Sequence, residues 1–159
     1  MDTLSYKTVF PNAQSVKREW VVIDATDQVL GRLCAKVAKI LRGKYKADYS
    51  PNVECGDYVI IINADKVRLT GKKMTDHEYL SYTGYPGGQR SCTPEVLMKK
   101  SFNKHLKPGY HPLYIKVMKG MLPKNRLGRR LIENMHVYNG PAHPHEAQGA
   151  KVIDIDKLK

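Results

Sequence analysis

The cations most suited to binding chemistry in this 159-residue chain lie between residues 119 and 130. Five positive charges fall within these twelve positions, joined by Gly and Pro. They are Lys119, Lys124, Arg126, Arg129 and Arg130. Lysine and arginine at this density neutralise phosphates, and arginine can also bind a phosphate through two parallel hydrogen bonds. The segment is therefore predicted to bind a polyanion.

The surroundings of this segment carry no opposing charge. From Val96 to Ile132 the sequence contains no Asp or Glu and ten Lys and Arg; we call this the acid-free block. The whole chain has a formal net charge of +12, which is more than solubility requires of a small domain. A basic face kept only for solubility is the alternative. The size and the clustering of the charge favour nucleic acid as the partner.

Further cations are predicted on one side of a helix and in several loops. The apolar residues between Leu30 and Arg42 recur at helical spacing, and Gly43 is the predicted end of this helix. Arg32, Lys36 and Lys39 fall together on its other side. The remaining candidate phosphate-binding residues are Lys17, Arg18, Arg42, Lys44, Tyr45, Lys46, Lys72, Lys73, His143 and His145.

The sequence from Trp20 to Ile62 predicts the strands and the helix that position these cations. Trp20–Asp24 is predicted as a buried strand, with Asp24, Thr26 or Asp27 as the N-cap of the helix that follows. Tyr58–Ile62 contains five apolar residues without polar alternation, which is typical of an inner, parallel strand. Strand, helix and strand in this order indicate a βαβ unit.

The second half of the chain is predicted to be mainly helical. We expect a short strand at 67–70, loops at 71–73 and 84–88, helices at 94–102, 112–120 and 127–135, and a last strand at 136–138. The predicted division is an irregular N-terminal arm (1–15), an α/β domain (16–140) and an extended C-terminal tail (141–159).

Cofactor and metal chemistry have little support. The turn from Asp24 to Gly31 has one glycine where a dinucleotide fingerprint needs three, and no G-x-x-x-x-G-K-[ST] motif occurs. We therefore expect no nucleotide cofactor. His143, His145 and Glu146 could ligate a metal, but their Pro-rich tail has no nearby fourth ligand. We therefore expect no bound metal. The two histidines are expected to be solvated or to face phosphate.

Catalysis, secretion and membrane insertion also lack a signal. The three cysteines, Cys34, Cys55 and Cys92, form no C-x-x-C pair and are expected to be reduced in a cytosolic protein. Ser, Cys and His occur, but their placement identifies no catalytic set. The N-terminus lacks the order of a secretory signal, and no apolar run is long enough to span a bilayer.

Tyrosine is used far more often than phenylalanine, ten against two. Tyr45, Tyr49, Tyr82 and Tyr85 lie in or beside basic or glycine-rich loops. Such a tyrosine can stack on a base or a ribose. A partly buried tyrosine would give the same pattern, so both interpretations stay open.

Short motifs follow one another in a fixed order over most of the chain. They are Lys17-Arg-Glu-Trp20, Asp24-Ala-Thr26, Leu30-Gly-Arg-Leu33, Leu41-Arg-Gly-Lys44, Gly56-Asp-Tyr58, Asn63-Ala-Asp-Lys-Val67, Thr70-Gly-Lys72, Thr83-Gly84, Lys119-Gly-Met-Leu-Pro-Lys124, Leu127-Gly-Arg129 and Val137-Tyr-Asn-Gly140. With these motifs the chain resembles, from about Val16 to Gln148, the bacterial form of large ribosomal subunit protein thirteen. Two segments depart from the family pattern. The stretch from Ser101 to His111 is longer, and the N-terminal arm is extended, so their contacts are not carried over.

The resemblance implies an α/β fold, a three-layer α/β/α domain on a mainly parallel four-stranded sheet. It implies a structural constituent of the large subunit that binds large-subunit ribosomal RNA early in assembly, beside neighbouring large-subunit proteins, in the cytoplasm. It implies no catalysis and no small-molecule substrate. RNA should be recognised mainly by shape, since base edges in an A-form duplex are hard to reach.

Two other classes are kept as alternatives. An RNA- or nucleotide-processing enzyme on the same fold would show a cleft with a perturbed acid or histidine, whereas a scaffold would show a shallow basic surface. A DNA-binding module would carry a recognition helix, and the sequence has no signature of one.

Overall fold

The computed structural model describes residues 10–103 and 106–155. The strands are β1 (Trp20–Asp24), β2 (Tyr58–Ile62), β3 (Ser81–Tyr82), β4 (Gln89–Arg90), β5 (Met135–Val137) and β6 (Lys151–Val152). The helices are α1 (Leu30–Arg42), α2 (Lys73–Asp76), α3 (Pro94–Ser101), α4 (Pro112–Met121) and α5 (Arg126–Glu133), with 3₁₀ turns at Ala64–Lys66 and Glu146–Gln148. A parallel four-stranded sheet has the order β5-β2-β1-β6, and β3 and β4 form a separate antiparallel hairpin.

The predicted α/β class with a parallel four-stranded sheet is confirmed, as are the bounds of β1, α1 and β2. β2 is an inner strand, paired on one side with β1 and on the other with β5. Val59, Ile60 and Ile61 are each 0% exposed. The unbroken apolar run therefore reflects burial on both faces of the sheet.

Side chains alternate along a strand, and different segments of the chain pack on the two faces of the sheet. Val21 and Ile23 belong to the main core, which they share with apolar side chains of α1, α4 and α5. On the opposite face the Trp20 ring stacks on the ring of Tyr58, with centroids 4.5 Å apart. His145 stacks on Trp20 at 5.0 Å. The part of the tail around His145 thus packs against the second face.

The predicted cap of α1 is wrong. The N-cap is Val29, which has extended backbone and no capping side chain. Asp24 instead accepts hydrogen bonds from the backbone N–H and the hydroxyl of Thr26, at 2.9 and 2.7 Å, and from the Asn63 amide at 3.0 Å. Its carboxylate therefore joins the ends of β1 and β2 and is not available to the helix.

Several later elements differ from the prediction. Residues 67–70 are not a strand, because only an isolated bridge joins Arg68 to Val29. α5 begins at Arg126, where the Asn125 side chain accepts from the Gly128 N–H at 2.7 Å, and Met135 belongs to β5. The hairpin β3–β4 and the strand β6 were not predicted. β6 lies in the tail and pairs with Val21 and Val22, while the division into arm, domain and tail stays a prediction.

Candidate nucleic-acid interface

The helix α1 has one buried and one cationic side, as its pattern predicts. Leu33, Val37 and Leu41 are 0% exposed, whereas Arg32 and Lys39 are exposed. Lys36 is only half-exposed, and its ammonium donates to the carbonyl of Ile155 at 2.5 Å. Two of the three ridge cations therefore face solvent, and the third holds the C-terminal segment against α1.

Gly43 ends α1 and turns the chain into the basic loop. Its φ is +77°, and a Cβ there would lie 2.7 Å from the carbonyl carbon of Cys55, so glycine is required both for conformation and for space. Beyond it, the Arg42 guanidinium donates to the Tyr49 hydroxyl at 2.8 Å, and Lys44 is exposed. The loop thus fixes Arg42 and leaves Lys44 free to reach a ligand.

Lys46 and Tyr45 of the same loop are engaged with the protein. The Lys46 ammonium lies 2.6 Å from the carboxylate of Asp57 and 2.7 Å from the carbonyl of Lys17. The Tyr45 hydroxyl donates to the other carboxylate oxygen of Asp57. Burial has the largest effect on the pKa of both groups, because it disfavours their charged forms. It lowers the pKa of Lys46 and raises the pKa of Asp57. Each charge therefore depends on the other, and the Lys46 ammonium is mainly structural.

Arg18 is also paired internally. Its guanidinium lies 3.1 Å from the Glu54 carboxylate and 3.4 Å from the Tyr58 hydroxyl. Arg130 approaches the same carboxylate at 4.0 Å, but its side chain is 77% exposed. Arg130 can therefore turn to a ligand at little cost, whereas Arg18 has to give up a half-buried ion pair. Lys17 is exposed, and its carbonyl receives Lys46.

The corner between α4 and α5 presents most of the charges of the 119–130 segment. Lys119, Lys124, Arg126 and Arg129 are exposed, and none has an ion pair within the described residues. The corner is tight, because a Cβ on Gly128 would lie 1.9 Å from the Pro123 carbonyl oxygen. Gly128 therefore serves the packing of the protein's own backbone, and the cations project from a rigid turn.

A groove brings the two cationic regions together. Lys39, Arg42 and Lys44 line it from the side of α1, and Met121 and Leu122 line it from the end of α4. Lys119 and Lys124 flank the last two residues in sequence. We call the exposed cations of the two regions the cationic corner; they are Lys39 and Lys44 at this groove and Lys119, Lys124, Arg126 and Arg129 in the 119–130 segment. Sequence reasoning found both halves, but the packing of α1 on α4 joins them.

The other predicted residues lie apart from the cationic corner. Lys72 and Lys73 are exposed at the start of α2, and Lys73 lines a groove with Gly31 at the beginning of α1. His143 and His145 lie over the second face of the sheet. The His145 ring makes a 2.8 Å hydrogen bond with the Tyr138 hydroxyl, and its backbone N–H donates to the His143 ring at 3.3 Å. Burial lowers the pKa of His145.

The strongly perturbed groups are core residues. Burial lowers the pKa of His111 to about 4 and raises the pKa of Cys34 to about 12. His111 is 1% exposed and Cys34 0%. His111 lines a groove with Tyr110, Tyr138 and Asn139, and no acidic residue is among the residues described around that groove. Among residues 10–103 and 106–155, no group of His, Cys, Asp or Glu is arranged to hold a metal, and no helix could cross a membrane.

A parallel α/β core with solvent-facing cations on α1 and on the α4–α5 corner defines a small basic α/β protein. The chain belongs to the family described as Ribosomal protein L13, whose model matches residues 18–144. This confirms the resemblance drawn from the motifs.

Relatives match almost the whole chain. The large ribosomal subunit protein uL13 of Symbiobacterium thermophilum is 46% identical over 149 residues, which cover 94% of this chain and 99% of the relative. The proteins of the same name from Salinibacter ruber and Thermobifida fusca are 47% and 48% identical, over 97% and 96% of this chain and 99% and 97% of their own lengths.

Proposed function

We propose that this protein is a structural constituent of the large ribosomal subunit, where it binds and stabilises folded large-subunit ribosomal RNA in the cytoplasm. Membership of the L13 family and the names of the relatives support this role. The observation that carries the RNA-binding part is the cationic corner. Its exposed lysines and arginines have no acidic partner within the described residues, so their charges are available to phosphates.

The candidate residues divide into contacts and supports. Lys39, Lys44 and the corner cations from Lys119 to Arg129 contact phosphates, the lysines as mobile point charges and the arginines through planar, paired hydrogen bonds. Arg18, Lys36, Arg42 and Lys46 hold the loop and the C-terminal segment in place through their internal partners. Lys72 and Lys73 form a separate contact near the start of α1.

The protein acts without turnover and early in assembly, alongside neighbouring large-subunit proteins. The middle residues of the inner strands β1 and β2 are buried within the one chain, so the fold does not need a protein partner before it binds RNA. Rigid presentation of the cations lowers the ordering cost of binding. RNA shape, read through phosphate and ribose, sets the specificity, and no nucleotide cofactor or metal takes part.

Binding to deproteinised large-subunit ribosomal RNA, folded in Mg²⁺, tests this function. An unrelated structured RNA of equal length serves as the competitor, because generic electrostatic attraction is common to both RNAs. We expect the ribosomal RNA to be bound at least about ten times more tightly at near-physiological salt. Equal affinity for both RNAs would contradict a specific role in the large subunit.

A further inference from the structure

The hairpin β3–β4 projects two tyrosines that the cationic corner does not account for. Tyr82 is 66% exposed and Tyr85 is 73% exposed, and neither hydroxyl has a hydrogen-bond partner within the described residues. Apart from Gly88, every residue from Leu80 to Ser91 is exposed. The interpretation of these two tyrosines as partly buried side chains is therefore excluded.

The tip of the hairpin has a fixed conformation. The Gly88 N–H donates to the Tyr85 carbonyl at 2.9 Å, and the Thr83 N–H donates to the Gly88 carbonyl at 3.0 Å. Between them, Pro86 precedes Gly87, whose φ is +68°. Proline followed by a residue with positive φ is the signature of a type II turn. Tyr85 is thus presented by a rigid turn, which reduces the entropy lost when its ring binds a ligand.

The base of the hairpin is tied to the protein. Tyr79 and Cys92 exchange two backbone hydrogen bonds, of 2.9 and 3.2 Å, below the two strands. The Lys116 ammonium of α4 donates to the carbonyl of Leu80 at 3.3 Å. A two-stranded hairpin is marginal by itself, and these contacts anchor it. The base of the hairpin is therefore held by the rest of the protein, and its tip projects into solvent.

The charge around the hairpin selects the class of ligand. Arg90 pairs directly with Ser81 across the hairpin, and Lys116 lies at its base. From Tyr79 to Ile132 the only acidic residue is Glu95, and its carboxylate already lies 2.6 Å from the Lys99 ammonium. Exposed aromatic rings on a hairpin that also carries Arg90 fit an RNA strand, which offers both a π-face and phosphates.

We propose that the tyrosine hairpin, residues 79–92, is a second RNA contact, in which Tyr82 and Tyr85 stack on unpaired bases of the ribosomal RNA. This rests on the proposed function and adds to it a contact with splayed bases beside the phosphate contacts of the cationic corner. Bases in a regular duplex are stacked on each other and are not available to the rings. The hairpin therefore binds a loop, a bulge or a junction.

Binding to deproteinised large-subunit ribosomal RNA across a range of salt concentrations tests the hairpin, with the variants Tyr82→Ala, Tyr85→Ala and the double variant. We expect each ring to contribute about tenfold in affinity, within the range of base–aromatic stacking. Stacking releases no counterions, so the slope of log affinity against log salt should stay the same. Tyr→Phe variants should bind as the wild type does, since they keep the ring.

Tyr→Leu variants separate base stacking from a contact with RNA that needs only apolar bulk. Leucine keeps apolar bulk but has no π-face, so it should bind RNA as weakly as alanine does. A perfectly paired RNA duplex of random sequence should be bound equally by the wild type and all variants. Unchanged affinity of the double alanine variant for ribosomal RNA would overturn the hairpin proposal. So would full recovery by leucine, which would show that apolar bulk, and not stacking of the ring on a base, makes the contact.

The failure of this proposal differs from the failure of the proposed function. If wild-type protein does not prefer ribosomal RNA to an unrelated RNA, the ribosomal function itself is overturned, and the hairpin proposal falls with it. If the preference is intact and the tyrosine variants retain it in full, only the hairpin proposal is overturned. Thermal melts confirm that each variant is folded, because both side chains are exposed and their loss removes little packing.

Discussion

The Lys46 ammonium lies 2.6 Å from the Asp57 carboxylate, and this ion pair joins the loop after α1 to the start of β2. The Asp57 side chain is 4% exposed, and it also accepts the backbone N–H of Glu19 at 3.0 Å. A charge at such depth is stable only with its partners in place. A residue expected from the sequence to contact RNA thus has a structural role.

Replacing Lys46 should therefore cost stability more than it costs RNA affinity. Lys46→Ala leaves the buried Asp57 carboxylate without its ion-pair partner, and we expect a loss of about 2–4 kcal/mol in the free energy of unfolding. Lys44→Ala, one exposed cation nearby, should cost less than about 0.5 kcal/mol. Denaturant melts of both variants measure this. Equal stability of the two would show that the pair contributes nothing.

The inner strand should dominate the stability of the sheet. Ile60 and Ile61 point to opposite faces and are both 0% exposed. Either Ile→Ala change leaves a cavity, and we expect roughly 2–5 kcal/mol of destabilisation. Val152→Ala on β6, where the side chain is 78% exposed, is the control and should change little. A loss below about 1 kcal/mol for both isoleucines would contradict the placement of β2 at the centre.

Two glycines of the α4–α5 region should respond oppositely to alanine. Gly120 lies in α4, and a Cβ there would meet no neighbouring segment within 4 Å, so Gly120→Ala should stabilise by up to about 1 kcal/mol through helix propensity. Gly128 lies in α5, and its Cβ would meet the Pro123 carbonyl oxygen at 1.9 Å. Gly128→Ala should destabilise despite the same propensity gain. Thermal melts compare the signs, and a stabilising Gly128→Ala would contradict the tight corner.

Stability should fall as the medium becomes acidic, because His111 has to stay neutral inside the core. Burial lowers its pKa from the ordinary 6.5 to about 4. The unfolded chain therefore binds the extra proton first, and stability present above about pH 6.5 is lost as the pH falls toward 4. The loss from this residue is at most roughly 3 kcal/mol.

Burial also lowers the pKa of His136 and His145, and both contribute in the same direction. His111→Phe should therefore reduce the pH dependence between pH 6.5 and 4 without abolishing it. Denaturant melts at several pH values compare the slopes of the variant and the wild type, so a difference in absolute stability does not obscure the result. An identical slope in both proteins would show that His111 is not held neutral by the fold.

Local pattern was enough to predict the elements that are long and strongly apolar. Leu30–Arg42 and Tyr58–Ile62 were predicted with correct bounds, because burial imposes a period on one and an unbroken apolar run on the other. β6 was missed because Lys151 and Val152 carry no strand pattern. They form a strand only because the edge of β1 offers a partner about 130 residues away in sequence. Such pairing is set by tertiary structure.

The candidate site was predictable as a set of charges and not as a geometry. The sequence shows that Lys44 and Lys46 are both basic, but only the fold places Asp57 under one of them. The sequence likewise does not reveal that Arg18 pairs with Glu54 or that His145 stacks on Trp20. Even the nearest of these pairs, Lys46 and Asp57, is eleven residues apart and spans no single helix or strand, so local spacing carries no trace of the contact. The rigid tyrosine hairpin had a local signal, Tyr-Pro-Gly-Gly, which marks a turn but not its exposure.

The salt dependence of binding to deproteinised large-subunit ribosomal RNA tests the central claim, that the cationic corner contacts phosphates. The variant Lys39→Ala/Lys44→Ala/Lys124→Ala/Arg129→Ala is compared with Lys99→Ala, which removes a cation already paired with Glu95 at 2.6 Å. We predict that the slope of log affinity against log salt falls by roughly one unit for each corner residue replaced and stays unchanged for Lys99→Ala. A quadruple variant with the slope of the wild type would contradict the account.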